Sequence, residues 1–215
     1  KMIMKREAIA NKGIWVAKKR YMMNVFDEEG VRYDIPKLKI MGVEAVKSST
    51  PEVCRGKIKD AIRVIMNDSE DALIKFVNDF KEVFMTLSPE EVAFPRSCNN
   101  VNKYIDSNSI YKKGTPIHVK GALIYNHNIS KHKLGMKYPY IQDGDKIKFL
   151  MLKQPNTVKD TVISFSTKIP YEFELHKYVD YDTQFEKTFT DPLRFILDSI
   201  GWKLEREATL EAFFG

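Results

Sequence analysis

Short apolar runs separated by tight turns dominate the first part of the chain. Ile14–Val16 and Tyr21–Phe26 are rich in β-branched and aromatic side chains, and the turn sequence Asp27–Gly30 follows the second run. Val31–Tyr33 can then return as the second arm of a hairpin. Charged and apolar side chains alternate over Lys37–Ile40, which predicts a strand with one wet face and one buried face. The pattern therefore predicts a β-rich, antiparallel beginning.

The apolar spacing becomes helical after Ser48. We expect Thr50 to be an N-cap, Pro51 to take the first helical position, and Glu52 to complement the positive end of the helix dipole. The same signals predict that a second helix opens at Ser69–Asp71. The two apolar stripes predict an antiparallel helical pair, and they comprise Val53, Ile58, Ala61, Ile62 and Ile65, then Leu73, Phe76, Val77, Phe80, Val83 and Phe84.

Helical and strand-like segments follow one another in the rest of the chain. Ser88–Glu91 predicts a short helical turn, and Thr115–Pro116 predicts the start of a longer helix. Asp143–Asp145 is a turn signal, with strand-like runs on its far side at 146–152 and 161–165.

A last helix is predicted at 182–200. It contains Pro192, which should kink the helix or split it into two pieces. Together the elements predict the α+β class, in which a short β-rich beginning is followed by a mainly helical part that includes a small β subdomain.

Length and composition narrow the class of protein. The 215 residues suffice for one or two domains, and 43% apolar with 30% charged residues favours a folded chain over disorder. No apolar run approaches the roughly 18 residues that a membrane span needs, and no secretory signal is visible. Cys54 and Cys98 offer neither a disulfide framework nor a tetrahedral metal site, which fits a reducing compartment.

The net charge of +6 hides a strong segregation along the chain. Residues 1–50 carry a net +5, residues 51–94 carry −3, residues 95–168 carry +9, and residues 169–215 carry −5. Two basic segments separated by acidic ones are expected if particular faces of the protein meet a polyanion such as nucleic acid.

Catalytic motifs are scarce. The close carboxylate pairs are Asp143 with Asp145, beside a turn glycine, and Asp180 with Asp182, next to a helix start, so turn formation and helix capping explain them better than metal binding. No Walker-type glycine loop, nucleophile elbow or Cys/His metal spacing is present. The four histidines lack a metal-binding partner at helical spacing and are expected on surfaces: His118, His127, His132 and His176.

Phosphate-binding chemistry is better represented. Lys18–Tyr21 is predicted to open a strand, which would place Lys19 and Tyr21 on one face as a cation beside an aromatic ring. The alternative is a solvated strand edge protected by lysines. Lys47–Thr50 brings a cation and three hydroxyls to a helix N-terminus, where an anion is favoured, although a simple N-cap explains Thr50 equally well.

Several motifs carry a resemblance to a known family, in the same order along the chain. They are Arg6–Ala10, Lys18–Tyr21, Pro36–Gly42, Lys47–Pro51, Asn99–Asn100 with Lys103–Tyr104, and His118–Asn126. The chain resembles the carboxy-terminal part of the replicative DNA polymerase of T-even-type bacteriophages, a family B enzyme. The resemblance spans essentially the whole chain, is densest from 5 to 51 and is weak across 128–180.

The resemblance implies a domain organisation and a function. Residues 1–46 would be the end of the palm domain, 47–203 the thumb domain, and 204–215 a C-terminal clamp-binding tail. The Lys19–Tyr21 element would contact primer-template DNA near the primer end, and the thumb would grip the duplex. The implied DNA-binding residues are Lys18, Lys19, Arg20, Tyr21, Lys37, Lys39, Lys47, Ser48, Ser49, Asn99, Asn100, Lys103, Tyr104, His118 and Lys120.

The catalytic centre of such an enzyme lies elsewhere. Glu7 matches a family glutamate in a supporting position near the metal site, whereas the two palm aspartates that hold Mg²⁺, the fingers and the exonuclease precede this region. The resemblance implies a DNA-directed DNA polymerase, a nucleotidyltransferase, whose present portion is inactive alone. Its partners would be primer-template DNA, a sliding clamp and the N-terminal portion of the polymerase, with no membrane, in the cytoplasm of an infected bacterium.

The last residues predict a docking segment. Two adjacent phenylalanines at a chain end cannot easily reach the core, and their exposure is unfavourable by about 1.5 to 3 kcal/mol each. By resemblance the tail binds the sliding clamp, with Leu210, Phe213 and Phe214 as anchors. The alternative is a tail that folds back on its own domain.

Three functional hypotheses stay open on the sequence. The first is the palm-end and thumb portion of a DNA polymerase, either trimmed from a longer chain or the C-terminal subunit of a split enzyme. The start at Lys1 favours trimming, while Met2 and Met4 leave a natural start possible. The second is a stand-alone nucleic-acid-binding module without polymerase activity. The third is a metal nuclease that uses Asp180, Asp182 or Glu7.

Overall fold

The structure is a computed structural model, and it describes residues 6–205. The described residues form helices together with two three-stranded antiparallel sheets. The α+β class predicted from the sequence is therefore confirmed. The proposed clamp anchors Leu210, Phe213 and Phe214 lie outside the described residues.

The first sheet is a meander of three long strands. Strands β1 (Ala8–Ala17), β2 (Arg20–Glu28) and β3 (Val31–Met41) lie in that order, each antiparallel to the next. Lys18–Lys19 connects β1 to β2, and Glu29–Gly30 connects β2 to β3. The predicted hairpin with a turn at 27–30 is confirmed.

Strand register sorts the side chains of this sheet onto two faces. Ile14, Met22 and Ile40 are paired across the three strands, and Met22 is fully buried. The neighbouring pairs bring Trp15, Tyr21 and Met41 to the other face, which is more exposed. The expected buried face of Lys37–Ile40 forms only in part, because its apolar side chains are half-buried.

Two helices follow the first sheet. Helix α1 (Glu52–Asn67) and helix α2 (Glu70–Phe84) confirm the predicted pair, although α1 begins one residue after Pro51. The Lys57 ammonium lies 5.6 Å from the ring centres of both Phe76 and Phe80. Lys57 lies about ten residues before the end of α1 and Phe80 about ten residues after the start of α2, as in an antiparallel pair.

A second α+β arrangement occupies the middle of the chain. It contains the elements α3 (Pro89–Val92), β4 (Phe94–Ser97), α4 (Ile117–Lys131), β5 (Lys146–Met151) and β6 (Val162–Phe165). The sheet order is β4-β5-β6, and helix α4 packs on β6, where the side chain of Ser164 donates to the carbonyl of His118 at 2.7 Å. One apolar cluster fills this part, with Phe165, Phe173, Ile124 and Leu150 among its fully buried members.

The predicted C-terminal helix changes type along its length. Helix α5 (Tyr181–Phe185) leads into a π-helical segment at Glu186–Thr190, and helix α6 (Asp191–Leu197) begins beside Pro192. The missing N–H of proline is harmless in a first helical turn, so Pro192 suits the start of α6. The helix predicted at 182–200 is thus a continuous helical run over 181–197, and the α-helical pattern changes before Pro192 without splitting the run.

The described residues form two compact units. One unit comprises residues 6–47, 55–82 and 189–205, and the other comprises 48–54 and 83–188. These units follow from packing within the chain, and the assignment of palm, thumb and tail at 1–46, 47–203 and 204–215 stays a prediction. No helix within residues 6–205 has the length and apolar character to cross a bilayer.

Candidate nucleic-acid interface

The two predicted cations Lys18 and Lys19 form the tip of the first hairpin. Strand β2 begins at Arg20, so the prediction of a strand through Lys18 was wrong. Lys19 has a φ of 64°, the left-handed conformation that reverses a chain within two residues. Both lysines are exposed. The turn projects both positive charges from the end of the sheet. In a continuous strand, Lys18 and Lys19 would instead have pointed to opposite faces.

Gly42 fixes the backbone behind this tip. Its φ is +70°, and a Cβ atom built there would lie 2.2 Å from the carbonyl oxygen of Lys19. That distance is far inside van der Waals contact, so only glycine permits the approach. The position of Lys19 therefore depends on backbone packing as well as on its own turn.

Arg20 and Tyr21 begin strand β2 with different surroundings. The guanidinium carbon of Arg20 lies 5.1 Å from the ring centre of Phe195, a cation–π contact. Tyr21 pairs with Trp15 on one side and Met41 on the other. The register leaves Tyr21 on the exposed face of the sheet, as expected for a residue that contacts a ligand.

Lys37 and Lys39 lie on β3 and have partners within the sheet. The Nζ atom of Lys37 is 5.7 Å from the ring centre of Tyr33. Lys39 Nζ donates to Glu28 Oε1 at 2.7 Å, and this hydrogen bond raises the pKa of Lys39 and lowers the pKa of Glu28. The charge of Lys39 is therefore partly neutralised by a directly bonded carboxylate, whereas Lys37 contributes only a longer-range attraction to the same Glu28.

Lys47 is the last residue of the first stretch of chain, residues 6–47, in one of the two compact units. Its Nζ atom forms an ion pair with Glu44 Oε1 at 2.5 Å within the short 3₁₀ turn Glu44–Val46. Ser48 is exposed and Ser49 is half-buried, and both precede helix α1. Lys47 is thus paired with Glu44, whereas Ser48 and Ser49 line the cleft described next.

Ser48 and Ser49 line a cleft that the sequence pattern does not predict. Its volume is about 440 Å³, and its polar lining consists of Ser48, Ser49, Arg96, Ser97 and Lys146, with Pro95 and Ile147 completing the wall. None of these residues is acidic. We call this feature the basic cleft. Two cations and three hydroxyls are suited to bind the oxygen atoms of a phosphate group.

The ladder between β4 and β5 assembles the basic cleft. Arg96 pairs with Ile147, and Ser97 pairs with Lys146, whose Nζ atom donates to the Ser97 hydroxyl at 2.7 Å. Arg96 donates to the carbonyl of Ser49 at 2.6 Å, which joins the segment before α1 to strand β4. Residues about fifty positions apart are therefore brought together by strand pairing, which sequence spacing alone could not reveal.

An aromatic contact supports Arg96 from the core side. Its guanidinium carbon lies 5.8 Å from the ring centre of Phe149, and the ring of His118 lies 6.2 Å from the same ring. Burial lowers the pKa of Arg96 from its ordinary, very high value. Burial, followed by the charge of Arg96, lowers the pKa of His118. The predicted contact residue His118 is therefore harder to protonate than an exposed histidine.

The predicted residues at 99–104 lie in a loop and a 3₁₀ turn. Asn100 has a φ of 61° and precedes the 3₁₀ turn Val101–Tyr104. Asn99 and Lys103 are exposed, and the Nζ atom of Lys103 is 5.5 Å from the ring centre of Tyr104. This loop presents amide and ammonium groups to solvent, which suit contacts to a sugar-phosphate backbone, while Tyr104 is half-buried and packs against the apolar cluster.

Lys120 is placed differently, in an internal polar cluster. Its Nζ atom lies 2.7 Å from Asp160 Oδ1, and the Tyr111 hydroxyl donates to Asp160 Oδ2 at 2.6 Å. Burial lowers the pKa of Lys120, but the hydrogen bonds to Asp160 and Tyr111 outweigh it and raise the pKa. Lys120, on helix α4, is thus paired with Asp160 of the β5–β6 connection.

The candidate metal ligands accept hydrogen bonds from backbone N–H groups. Asp145 accepts the N–H of Gln142 and Asp180 caps α5 by accepting from Thr183, which are the turn and cap contacts that the sequence predicts. Asp143 instead accepts the N–H of Val101, 42 residues earlier in the chain. Glu7 is exposed before β1, and residues 6–205 contain no group of three or more His, Cys, Asp or Glu that could hold a metal ion.

Comparison with known proteins finds relatives that align along essentially the whole chain. All of the chain aligns at 33% identity with the DNA-directed DNA polymerase of Enterobacteria phage T4, of which it covers 25%. Over 99% of the chain the identity is 36% to the DNA-directed DNA polymerase of Escherichia phage RB69, of which it covers 24%. The chain is homologous to part of a phage DNA polymerase. The resemblance to T-even-type polymerases found in the sequence is confirmed.

The similarity covers only part of each phage polymerase. The chain spans about a quarter of the length of the two polymerases it matches. No family model matches the chain. The hairpin tip, the basic cleft and the loop at 99–104 are therefore features of a polymerase-related segment.

Proposed function

We propose that this chain is the C-terminal, DNA-gripping portion of a DNA-directed DNA polymerase. The observation that carries the proposal is identity of 33% and 36%, along essentially the whole chain, to a quarter of two phage DNA polymerases. Because both relatives are phage proteins, we place its work in the cytoplasm of an infected bacterium. Its substrate would be primer-template duplex, held by contacts to phosphates that are independent of base sequence.

Two features support a phosphate-binding role. The hairpin tip presents Lys18 and Lys19 to solvent, and the basic cleft holds Arg96 and Lys146 beside serine hydroxyls. Arginine and hydroxyl groups bind phosphate oxygens by hydrogen bonds as well as by charge. Each feature lies within one compact unit, so each can be tested by substitution within that unit.

The chemistry of nucleotide transfer is assigned to the rest of the polymerase. That reaction uses Mg²⁺ held by a set of carboxylates, and residues 6–205 contain no cluster of three such ligands. Glu7 is proposed only as a supporting residue near that centre. The contribution of this chain is to hold the DNA product.

Primer extension tests the assignment to a polymerase. The chain is mixed with the remaining portion of the same polymerase, and extension of a labelled primer is compared with extension by either portion alone. We expect extension over many nucleotides only with both portions, because the remainder lacks its duplex grip. Equal extension by the remainder alone would contradict the proposal. The Lys75→Ala variant, which removes a surface charge paired with Asp79 on α2, is the control for loss of a lysine elsewhere on the chain.

We further propose that the C-terminal segment tethers the polymerase to a sliding clamp. Leu210, Phe213 and Phe214 supply apolar anchors near the end of a short segment. Deletion of residues 210–215 should abolish binding to the clamp and leave the melting temperature unchanged. A marked fall in melting temperature would instead assign these side chains to the core of this chain.

A further inference from the structure

An unusual row of apolar side chains crosses the exposed face of the first sheet. Trp15, Tyr21 and Met41 are neighbours across β1, β2 and β3. Trp15 is 65% exposed and Met41 is 46% exposed. We call these three residues the aromatic row. Leaving large apolar side chains in water is unfavourable, so a row of them in register marks a surface that something covers.

The indole ring of Trp15 lies against its own strand. A Cβ atom built at Gly13 would lie 2.6 Å and 2.7 Å from Cη2 and Cζ3 of Trp15, so the ring occupies the space beside the Gly13 backbone. The same Cβ would lie 3.3 Å from Cγ of Met23 on β2. The ring is therefore held next to Gly13, while Trp15 as a whole stays 65% exposed.

The charge around the aromatic row is positive. Residues 12–25 and 35–43, which contain the row, carry six cations and no carboxylate, and one of the six, Lys39, is paired with Glu28 from the acidic end. The acidic residues of the sheet, Asp27 to Glu29 and Asp34, lie toward its opposite end. The occupant is therefore expected to be anionic and to offer a flat apolar face. A nucleotide combines these two properties, whereas an apolar protein surface lacks the charge.

The exposed ring of Trp15 also favours single-stranded over double-stranded nucleic acid. A flat ring binds a base by stacking, and the face of a base is accessible only where the base is unpaired or ends a helix. We propose that Trp15 is a stacking platform for an unpaired nucleobase, with the adjoining phosphates bound by Lys18 and Lys19 of the hairpin tip. The proposal rests on the proposed function, because it assigns part of the same DNA-binding surface to unpaired strand.

Binding of two matched oligonucleotides tests the proposal. One is a fluorescein-labelled oligothymidine of twelve nucleotides, and the other is an abasic oligomer with the same number of phosphates. We expect the wild-type chain to bind oligothymidine more tightly. Trp15→Ala should weaken that binding by about fivefold to a hundredfold, the usual effect of removing one stacked ring, and leave abasic binding unchanged.

Control variants keep the result interpretable. Trp15→Phe retains an aromatic face and should keep most of the affinity, even if Trp15→Ala lowers the melting temperature. Val31→Ala removes another exposed apolar side chain of the same sheet, 60% exposed, beside the acidic end, and should have no effect. In a Trp202→Phe background, oligothymidine should quench the emission of the remaining Trp15.

The outcomes separate this proposal from the proposed function. Unchanged oligothymidine affinity in Trp15→Ala, or an equal loss on both oligomers, would overturn stacking at Trp15. Wild-type binding to duplex but not to oligothymidine would also overturn it and leave the duplex grip in place. Failure of the wild-type chain to bind either single strand or duplex would contradict the proposed function itself.

Discussion

At the scale of single residues, the cations of the candidate interface differ in how much of their charge a ligand can use. Lys39, Lys47 and Lys120 each lie 2.5 to 2.7 Å from a carboxylate oxygen. Lys18 and Lys19 project from a turn and are exposed. A cation already paired with a carboxylate gains less from a phosphate, because the first pair must be broken. The hairpin tip should therefore contribute more to DNA binding than the paired lysines do.

Lys19→Ala tests this ranking. We expect weaker duplex binding for all DNA sequences, together with a slope of log affinity against log salt that is shallower by about 0.9, because one phosphate contact is lost. The measurement is fluorescence anisotropy with two duplexes of unrelated sequence. An unchanged affinity at low salt would remove Lys19 from the interface, and Lys75→Ala on helix α2 is the matched charge control.

His118 should make stability depend on pH. Burial and the nearby Arg96 charge lower its pKa in the folded state, so the unfolded chain binds protons more readily. Stability conferred by neutral His118 is thus present above the unfolded value of about 6.5 and falls as the pH drops below it. Urea midpoints measured at pH 7.5 and pH 5 should differ less in His118→Gln than in the wild type. Equal differences would contradict the assignment.

Gly42 should be intolerant of a side chain. Gly42→Ala requires a left-handed conformation, which costs about 1 to 2 kcal/mol, and also places Cβ against the Lys19 carbonyl oxygen. Gly30→Ala is the control, since Gly30 has a φ of +90° with no atom within 4 Å of a built Cβ. We expect a larger fall in melting temperature for Gly42→Ala. Equal falls would show that the close approach to Lys19 is unimportant.

At the scale of elements, periodic patterns predicted most of the structure. The β2–β3 hairpin, helices α1, α2 and α4, and the helix that contains Pro192 follow from local spacing and turn residues. Strand β4 was missed because Phe94–Ser97 is short, contains a proline and pairs only with β5, about fifty residues later. Because β4 is stabilised by pairing with a distant strand, no pattern within its own four residues predicts it.

The sequence predicted some residues of the candidate site but not how the fold places them. Lys18 and Lys19 were identified as candidates, but their turn was not, because a two-residue lysine turn carries no glycine or asparagine signal. Arg96, Ser97 and Lys146 were missed, since only the β4–β5 ladder brings them to Ser49. An isolated arginine in a basic segment gives no sign of this placement.

Helix α4 should depend on the absence of a side chain at Gly121. A Cβ there would lie 2.5 Å from Ser164 Oγ and 2.8 Å from the Ser164 backbone nitrogen on β6. Gly121→Ala should therefore destabilise the chain, although alanine favours helix by about 1 kcal/mol. Gly56→Ala in α1, where no atom lies within 4 Å of a built Cβ, should stabilise it. Thermal unfolding of both variants checks the pair, and a stabilised Gly121→Ala would contradict the packing of α4 on β6.

At the scale of the whole molecule, both compact units contain a strongly basic segment. Residues 1–47 carry a net +5 and contribute to one unit, and residues 95–168 carry +9 and belong to the other. The first segment holds the hairpin tip, and the second holds Arg96 and Lys146 of the basic cleft. Binding of DNA by both units would account for a charge distribution that the total of +6 conceals.

The salt dependence of duplex binding by the whole chain tests the DNA grip most directly. Lys18, Lys19, Arg96 and Lys146 would together neutralise four phosphates, so log affinity should fall linearly with log salt concentration with a slope of about −4. The fall should be the same for duplexes of different sequence. A slope near zero, or no measurable duplex binding at low salt, would contradict the account.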